Sequence, residues 1–157
     1  MVEKKLATVM IKRGLTLSSA ESCTGGLFAH RITNISGSSK FFRGGIVAYS
    51  SNAKHKILKI DEILLKKFGT VSKECAQAMA TNCRKLFDSH IAIGITGVAG
   101  PDSLEEKPVG LVYIAIATSK NSYVKEYKFQ GTRIAIKKQT VEKTCKLLLK
   151  LITKWKV

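Results

Sequence analysis

The stretch HIAIGIT, residues 90–96, decides the fold. It is a continuous apolar run without polar alternation, which reads as a strand buried on both faces. Working outward, residues 110–118 (GLVYIAIAT) and 123–129 (YVKEYKF) predict an antiparallel hairpin across SKNS. Upstream, residues 44–49 (GGIVAY) suit a buried strand and residues 15–19 (LTLSS) a short one. Helical patterns fill the intervals. Residues 3–13 carry Leu6, Val9 and Met10 on one side and stop at Gly14. Thr24 to Ile35 places Leu27, Phe28, Ile32 and Ile35 near helical period, and a short helix begins near Asn52. Asp61 N-caps a helix ending at Gly69, and Ser72 caps a longer one with Ala76, Met79, Ala80, Cys83 and Phe87 inward. The last helix runs from about residue 133 to 155. The order α β α β α α β β β α predicts an α/β fold: three layers, α/β/α, around a mixed five-stranded sheet. Residues 1–157 read as a single domain, with no repeat, low-complexity tract or linker.

Composition narrows the function classes. No run approaches the ~20 apolar residues of a membrane span. The opening MVEKKLATVMIKRG lacks a long apolar segment and a cleavage site, so it reads as an amphipathic helix rather than a signal peptide. A cytoplasmic protein with no membrane partner is expected. Cys23, Cys75, Cys83 and Cys145 form no Cys-x-x-Cys pair, and His30, His55 and His90 make no ligand spacing with them. That argues against a metal site or a disulfide framework. The last three cysteines read as small core residues of helices. The formal net charge is +16, which raises nucleic acid or an anionic ligand as partner. In the last helix, however, Val141, Cys145, Leu148, Ile152 and Trp155 form one stripe, and Lys143, Lys146, Lys150 and Lys154 fill the other faces. A solvated helix explains that run more economically than a nucleic-acid reader, and no nucleic-acid motif accompanies it.

Three stretches carry reactive or anion-binding residue types. In SSAESCTGG, residues 18–26, Ser22 and Cys23 stand where a strand hands over to a helix. A nucleophile needs exposure, a base and donors for the developing oxyanion, and helix-start N–H groups supply donors. Ser and Thr are equally ordinary N-caps, and Gly-Gly is ordinary loop chemistry; local physics alone favours that plainer reading. Cys23 is the intrinsically stronger nucleophile, but a neighbour on extended backbone points away from Ser22. YSSNAKHK, residues 49–56, brings Lys54 to the same rim if its strand lies beside the first. A lysine acts as base only when neutral, hence desolvated or near other cations. GITGVAGP, residues 94–101, ends a buried strand in small residues whose N–H groups suit an anion. The long loop at residues 97–108 points to a functional segment.

Together AESCTGG (20–26), GGIVAYSSNAK (44–54), GITGVAGP (94–101) and EKPVG (106–110) resemble the CinA C-terminal domain family, whose members include nicotinamide-mononucleotide deamidases. The likeness runs in order along nearly the whole chain and is similar to the stand-alone form. It implies an anticodon-binding-domain-like α/β/α fold and hydrolysis of the nicotinamide mononucleotide carboxamide, without metal or other cofactor. It also implies site roles. Ser22 is the nucleophile, Lys54 its base, and Tyr49 orients or shuttles protons. Thr24, Gly25 and Gly26 form the donor pocket. Thr96, Gly97, Ala99 and Gly100 shape the nucleotide site, and Arg133 meets phosphate. The implied partners are a small nucleotide substrate and further copies of the chain. Two departures stand out. GTR, residues 131–133, replaces the frequent Gly-Asp-Arg, and PDSLEEK, residues 101–107, lacks the usual glycines. They keep a second reading open, a catalytically altered or inactive nucleotide- or partner-binding domain. Nucleic-acid binding driven by charge ranks third.

Overall fold

The computed structural model describes residues 1–155; the last two residues of the 1–157 span lie outside it. The five strands are β1 (Leu17–Glu21), β2 (Phe42–Val47), β3 (Ile91–Gly97), β4 (Leu111–Ala117) and β5 (Ser122–Lys128). They form one mixed sheet in the order β2-β1-β3-β4-β5. β1 pairs parallel with both β2 and β3, whereas β4 and β5 run antiparallel. The helices are α1 (Val2–Lys12), α2 (Leu27–Thr33), α3 (Ser51–Lys56), α4 (Glu62–Phe68), α5 (Lys73–Phe87) and α6 (Arg133–Lys154).

The alternation of large and small residues along the central strands sets the two layers. Ile91, Ile93 and Ile95 of β3, with Val112, Ile114 and Ile116 of β4, share a core with Leu6 of α1, Phe28 and Ile32 of α2, and Val141, Cys145, Leu148 and Ile152 of α6. The intervening residues are small. Ala92 packs with Cys75, Met79 and Cys83 of α5, and Ala115 and Ala117 with Ala76 and Ala80. Small residues let α5 settle close to the sheet: a side chain at Gly94 would run into the Ala76 carbonyl and lie 2.7 Å from the Ala80 nitrogen. Each large aliphatic side chain buried in the first core is worth about 1.5–3 kcal/mol.

The expected order undercounts the helices, because α3, α4 and α5 all form between β2 and β3. β1 begins and ends two residues later than the expected 15–19, and β2 also ends earlier than expected. The helix expected from Thr24 starts at Leu27. Gly25 and Gly26 have φ of +60° and +95°, a left-handed turn that L side chains rarely adopt, so this segment cannot be the first helical turn. These shifts bring Glu21 to the end of a buried strand. They also make residues 22–26 a turn at the sheet rim, where β1 sends its connections toward β2 on one side and β3 lies on the other. Ligands on open α/β sheets favour such a switch point.

Candidate active site

Ser22 follows β1 directly, its N–H donating to the Ile95 carbonyl at 2.9 Å. Ala48, after β2, donates to the Glu21 carbonyl at 2.9 Å, which extends the parallel pairing to the same rim. The chain then enters α3, capped by the Ser50 hydroxyl, which accepts from the Ala53 N–H at 3.0 Å. The cap and the short helix aim Lys54 inward. Its side chain is 1% exposed, against 8% for Ser22. Lys54 Nζ lies 3.0 Å from Ser22 Oγ, 2.9 Å from the Ala48 carbonyl oxygen and 3.3 Å from the Tyr49 carbonyl oxygen. Burial lowers the Lys54 pKa below its ordinary 10.5, with Cys75, Cys23 and Glu105 opposing. A neutral amine fits this setting well. Its two N–H groups satisfy the two carbonyls, and its lone pair receives the Ser22 hydroxyl.

The turn after Ser22 is organised by a residue whose role the sequence did not disclose. Glu21 is buried. Its Oε2 accepts from the Thr24 hydroxyl at 2.6 Å, the Gly26 N–H at 3.1 Å and the Phe28 N–H at 3.0 Å, and its Oε1 from the Ala29 N–H at 2.9 Å. The carboxylate thus caps α2 from the preceding strand, and α2 needs it, because the N-cap residue Gly26 has no side chain. The only hint in the sequence is an acid placed shortly before a Gly-Gly helix start. This geometry takes Gly25 and Gly26 out of the expected donor pocket and leaves Thr24 only its backbone N–H for that role. The Gly25 N–H already donates to the Ser22 carbonyl at 3.0 Å, the Gly26 N–H to Glu21, and the Thr24 hydroxyl to Glu21. The backbone N–H groups of Cys23 and Thr24 donate to no oxygen among the described residues.

Cys23 shares the cavity wall with Ser22 but packs into the core. Burial pushes its thiol up to about 12, so it is not a thiolate at neutral pH. The cavity encloses about 410 Å³ and includes Tyr49, Thr96, Gly97, Ala99, Gly100 and Arg133 in its lining. That size suits a small ligand. Tyr49 is 58% exposed, and its hydroxyl accepts from Arg133 Nη2 at 2.7 Å. Arg133 also donates to the Gly100 carbonyl, so the guanidinium bridges the loops after β2 and β3. Thr132 fills the N-cap of α6, its hydroxyl accepting from the Ala135 N–H at 3.3 Å. The Thr96 hydroxyl donates to the Thr70 carbonyl at 2.6 Å and so serves the wall. Thr70, Val71 and Leu104 also line the cavity. Leu104 falls in the loop expected to be functional, whereas no sequence motif marked Thr70 and Val71, which arrive from the turn between α4 and α5. Among the described residues no three His, Cys, Asp or Glu side chains are grouped to hold a metal, and no helix is long and apolar enough to cross a membrane.

Fold and site together define a helix-flanked mixed-sheet domain with a buried serine–lysine pair at the mouth of its switch point. The CinA C-terminal domain model matches residues 1–152, and the chain belongs to that family. It is 50% identical over 137 residues to a CinA-like protein of Geotalea uraniireducens, covering 87% of this chain and 33% of that one. It is 43% identical over 149 residues to a putative competence-damage inducible protein of Bacillus subtilis, covering 95% and 36% respectively. The chain therefore spans about a third of the length of the curated relatives it matches. A crystal structure of a CinA superfamily protein from Klebsiella pneumoniae superposes with a TM-score of 0.96 at 31% identity, covering 98% of this chain and 97% of that one. The competence/damage inducible protein CihA from Agrobacterium tumefaciens gives 0.92 at 35% identity, covering 96% and 93%.

Proposed function

We propose that this domain is an amidohydrolase that converts nicotinamide mononucleotide to nicotinic acid mononucleotide and ammonia. The observation that carries the reading is the 3.0 Å approach of Ser22 Oγ to a buried Lys54 amine with lowered pKa. The resemblance supplies the substrate, and the cavity supports it by size and by its cationic rim at Arg133.

Ser22 Oγ attacks the carboxamide carbon while its proton passes to the Lys54 lone pair. The tetrahedral oxyanion takes the N–H groups of Cys23 and Thr24. Lys54 returns the proton to the amide nitrogen, ammonia leaves, and an acyl-serine remains. Water then adds to the acyl carbon, giving its proton to Lys54; collapse releases the acid and restores Ser22. One oxyanion donor is worth roughly 3–4 kcal/mol and a general base about 10²–10⁴-fold, so both halves of the site matter. Arg133 offers its remaining N–H groups, beside the α6 N-terminus, to the phosphate.

The test is ammonia release from nicotinamide mononucleotide by the purified protein, Ser22→Ala and Lys54→Ala. Turnover by the wild type with loss in both variants supports the reading. Full activity in both variants removes the dyad, and ligand binding without wild-type turnover favours a non-catalytic nucleotide-binding domain.

A further inference from the structure

The outer wall of the cavity is built by residues with no part in that chemistry. After β3 the chain folds back at Leu104 and Lys107, which pair as an isolated antiparallel bridge. The Leu104 N–H donates to the Lys107 carbonyl at 3.3 Å and the Lys107 N–H to the Leu104 carbonyl at 2.9 Å. Between them Glu105 and Glu106 have φ of +53° and +58°. Two successive non-glycine residues in this region are unusual, and such a turn persists only when its surroundings hold it. The Glu105 carboxylate holds it. Oε1 accepts from the Thr70 N–H at 2.9 Å and from the Thr70 hydroxyl, and Oε2 accepts from the Val71 N–H at 3.2 Å. Lys107 Nζ lies 3.4 Å from Oε2 and donates to the Phe68 carbonyl at 3.2 Å and to the Val71 carbonyl.

One carboxylate and one ammonium thus occupy the backbone groups of the turn between α4 and α5 and tie it to a loop 35 residues away. Thr70, Val71 and Leu104, the groups so tied, face the same cavity as Ser22 and Lys54. Burial raises the Glu105 pKa, but the Thr70 hydroxyl, the Thr70 and Val71 N–H groups and Lys107 outweigh it, so the carboxylate stays ionised below its ordinary range. The clamp does not touch the reacting atoms: Ser22 and Lys54 are held from β1 and α3, and the Glu105 charge is the smallest of the influences on the Lys54 pKa.

We propose that Glu105 is a positioning residue that sets the wall of the cavity, and with it the affinity for a pyridine nucleotide, by fixing Thr70, Val71 and Leu104. The identity of the ligand rests on the amidohydrolase reading. Loss of the carboxylate loosens the wall and weakens binding, while the serine–lysine pair retains its geometry.

The experiment measures KM and kcat for ammonia release from nicotinamide mononucleotide, and calorimetric Kd for nicotinic acid mononucleotide, in wild type, Glu105→Gly and Glu105→Gln. Glycine accepts the positive φ and removes the whole side chain, carboxylate included; glutamine keeps the stem and one acceptor oxygen and is the conservative rescue. Glu105→Gly raises KM and Kd about tenfold with kcat little changed, and Glu105→Gln falls between it and wild type. Unchanged KM and Kd in Glu105→Gly, or a fall in kcat alone, overturns the proposal. If the wild type binds the nucleotide without turnover, the amidohydrolase reading fails and the Kd ratio alone decides the clamp. If it neither binds nor turns over, both fall.

Discussion

Replacing Lys54 with methionine gives the sharpest test of the site, because it removes the amine and keeps most of the stem. Lys54 is buried and its amine lies within 3.0 Å of Ser22 Oγ and 2.9 Å of the Ala48 carbonyl oxygen. On the amidohydrolase reading, activity falls by about 10²–10⁴-fold through loss of the proposed base. Stability carries a separate signature. The folded-state pKa of Lys54 lies below the ordinary 10.5. Between those two values the unfolded chain binds more protons than the folded one, so wild-type stability rises with pH there. It rises by up to about 1.4 kcal/mol per pH unit for one full proton. Lys54→Met lacks this dependence. Urea unfolding of both proteins across the alkaline range therefore gives a stability difference that shifts in favour of the wild type as pH rises toward 10.5. It is flat below the folded-state pKa. In parallel, kcat/KM of the wild type rises with pH on a limb that lies below 10.5. A pH-independent stability difference, together with an activity limb at the ordinary lysine position, would refute the buried neutral base.

Two further outcomes follow from the turn after β1. Glu21→Gln turns an amide N–H₂ toward donors that now meet a carboxylate, leaves at least one unpaired, and costs about 1–3 kcal/mol by chemical denaturation; an unchanged midpoint would count against its capping role. Cys23→Ala retains turnover, and the wild-type Cys23 resists iodoacetamide at neutral pH, because its thiol is buried and pushed up to about 12; rapid alkylation at Cys23 accompanied by inactivation would reopen it as the nucleophile.

Much of the architecture was legible because the apolar patterns are local. HIAIGIT reads as a doubly covered strand, and β4 and β5 form the expected hairpin with boundaries shifted by about a residue. The errors fall where a tertiary contact overrides local preference. Glu21 lies two residues beyond the strand expected at 15–19, yet it ends β1 and is buried because four donors converge on it from Thr24, Gly26, Phe28 and Ala29. Gly25 and Gly26 read as open donors, yet the turn they permit consumes their N–H groups.

By itself the order of residues determined which segments are strands, which faces of the helices are apolar, and that a hydroxyl follows the first strand. Lys54, one of 27 basic residues, is marked in the sequence only by its place just after the second strand and by the family resemblance, and spacing alone does not separate it from a surface lysine. Only the parallel pairing of β1 with β2, and the inward aim of α3, put its amine against Ser22 in a place poor in water. Desolvation and the coupling of Glu105 to Thr70 act through space between distant segments, so they exist only once the chain has closed on itself.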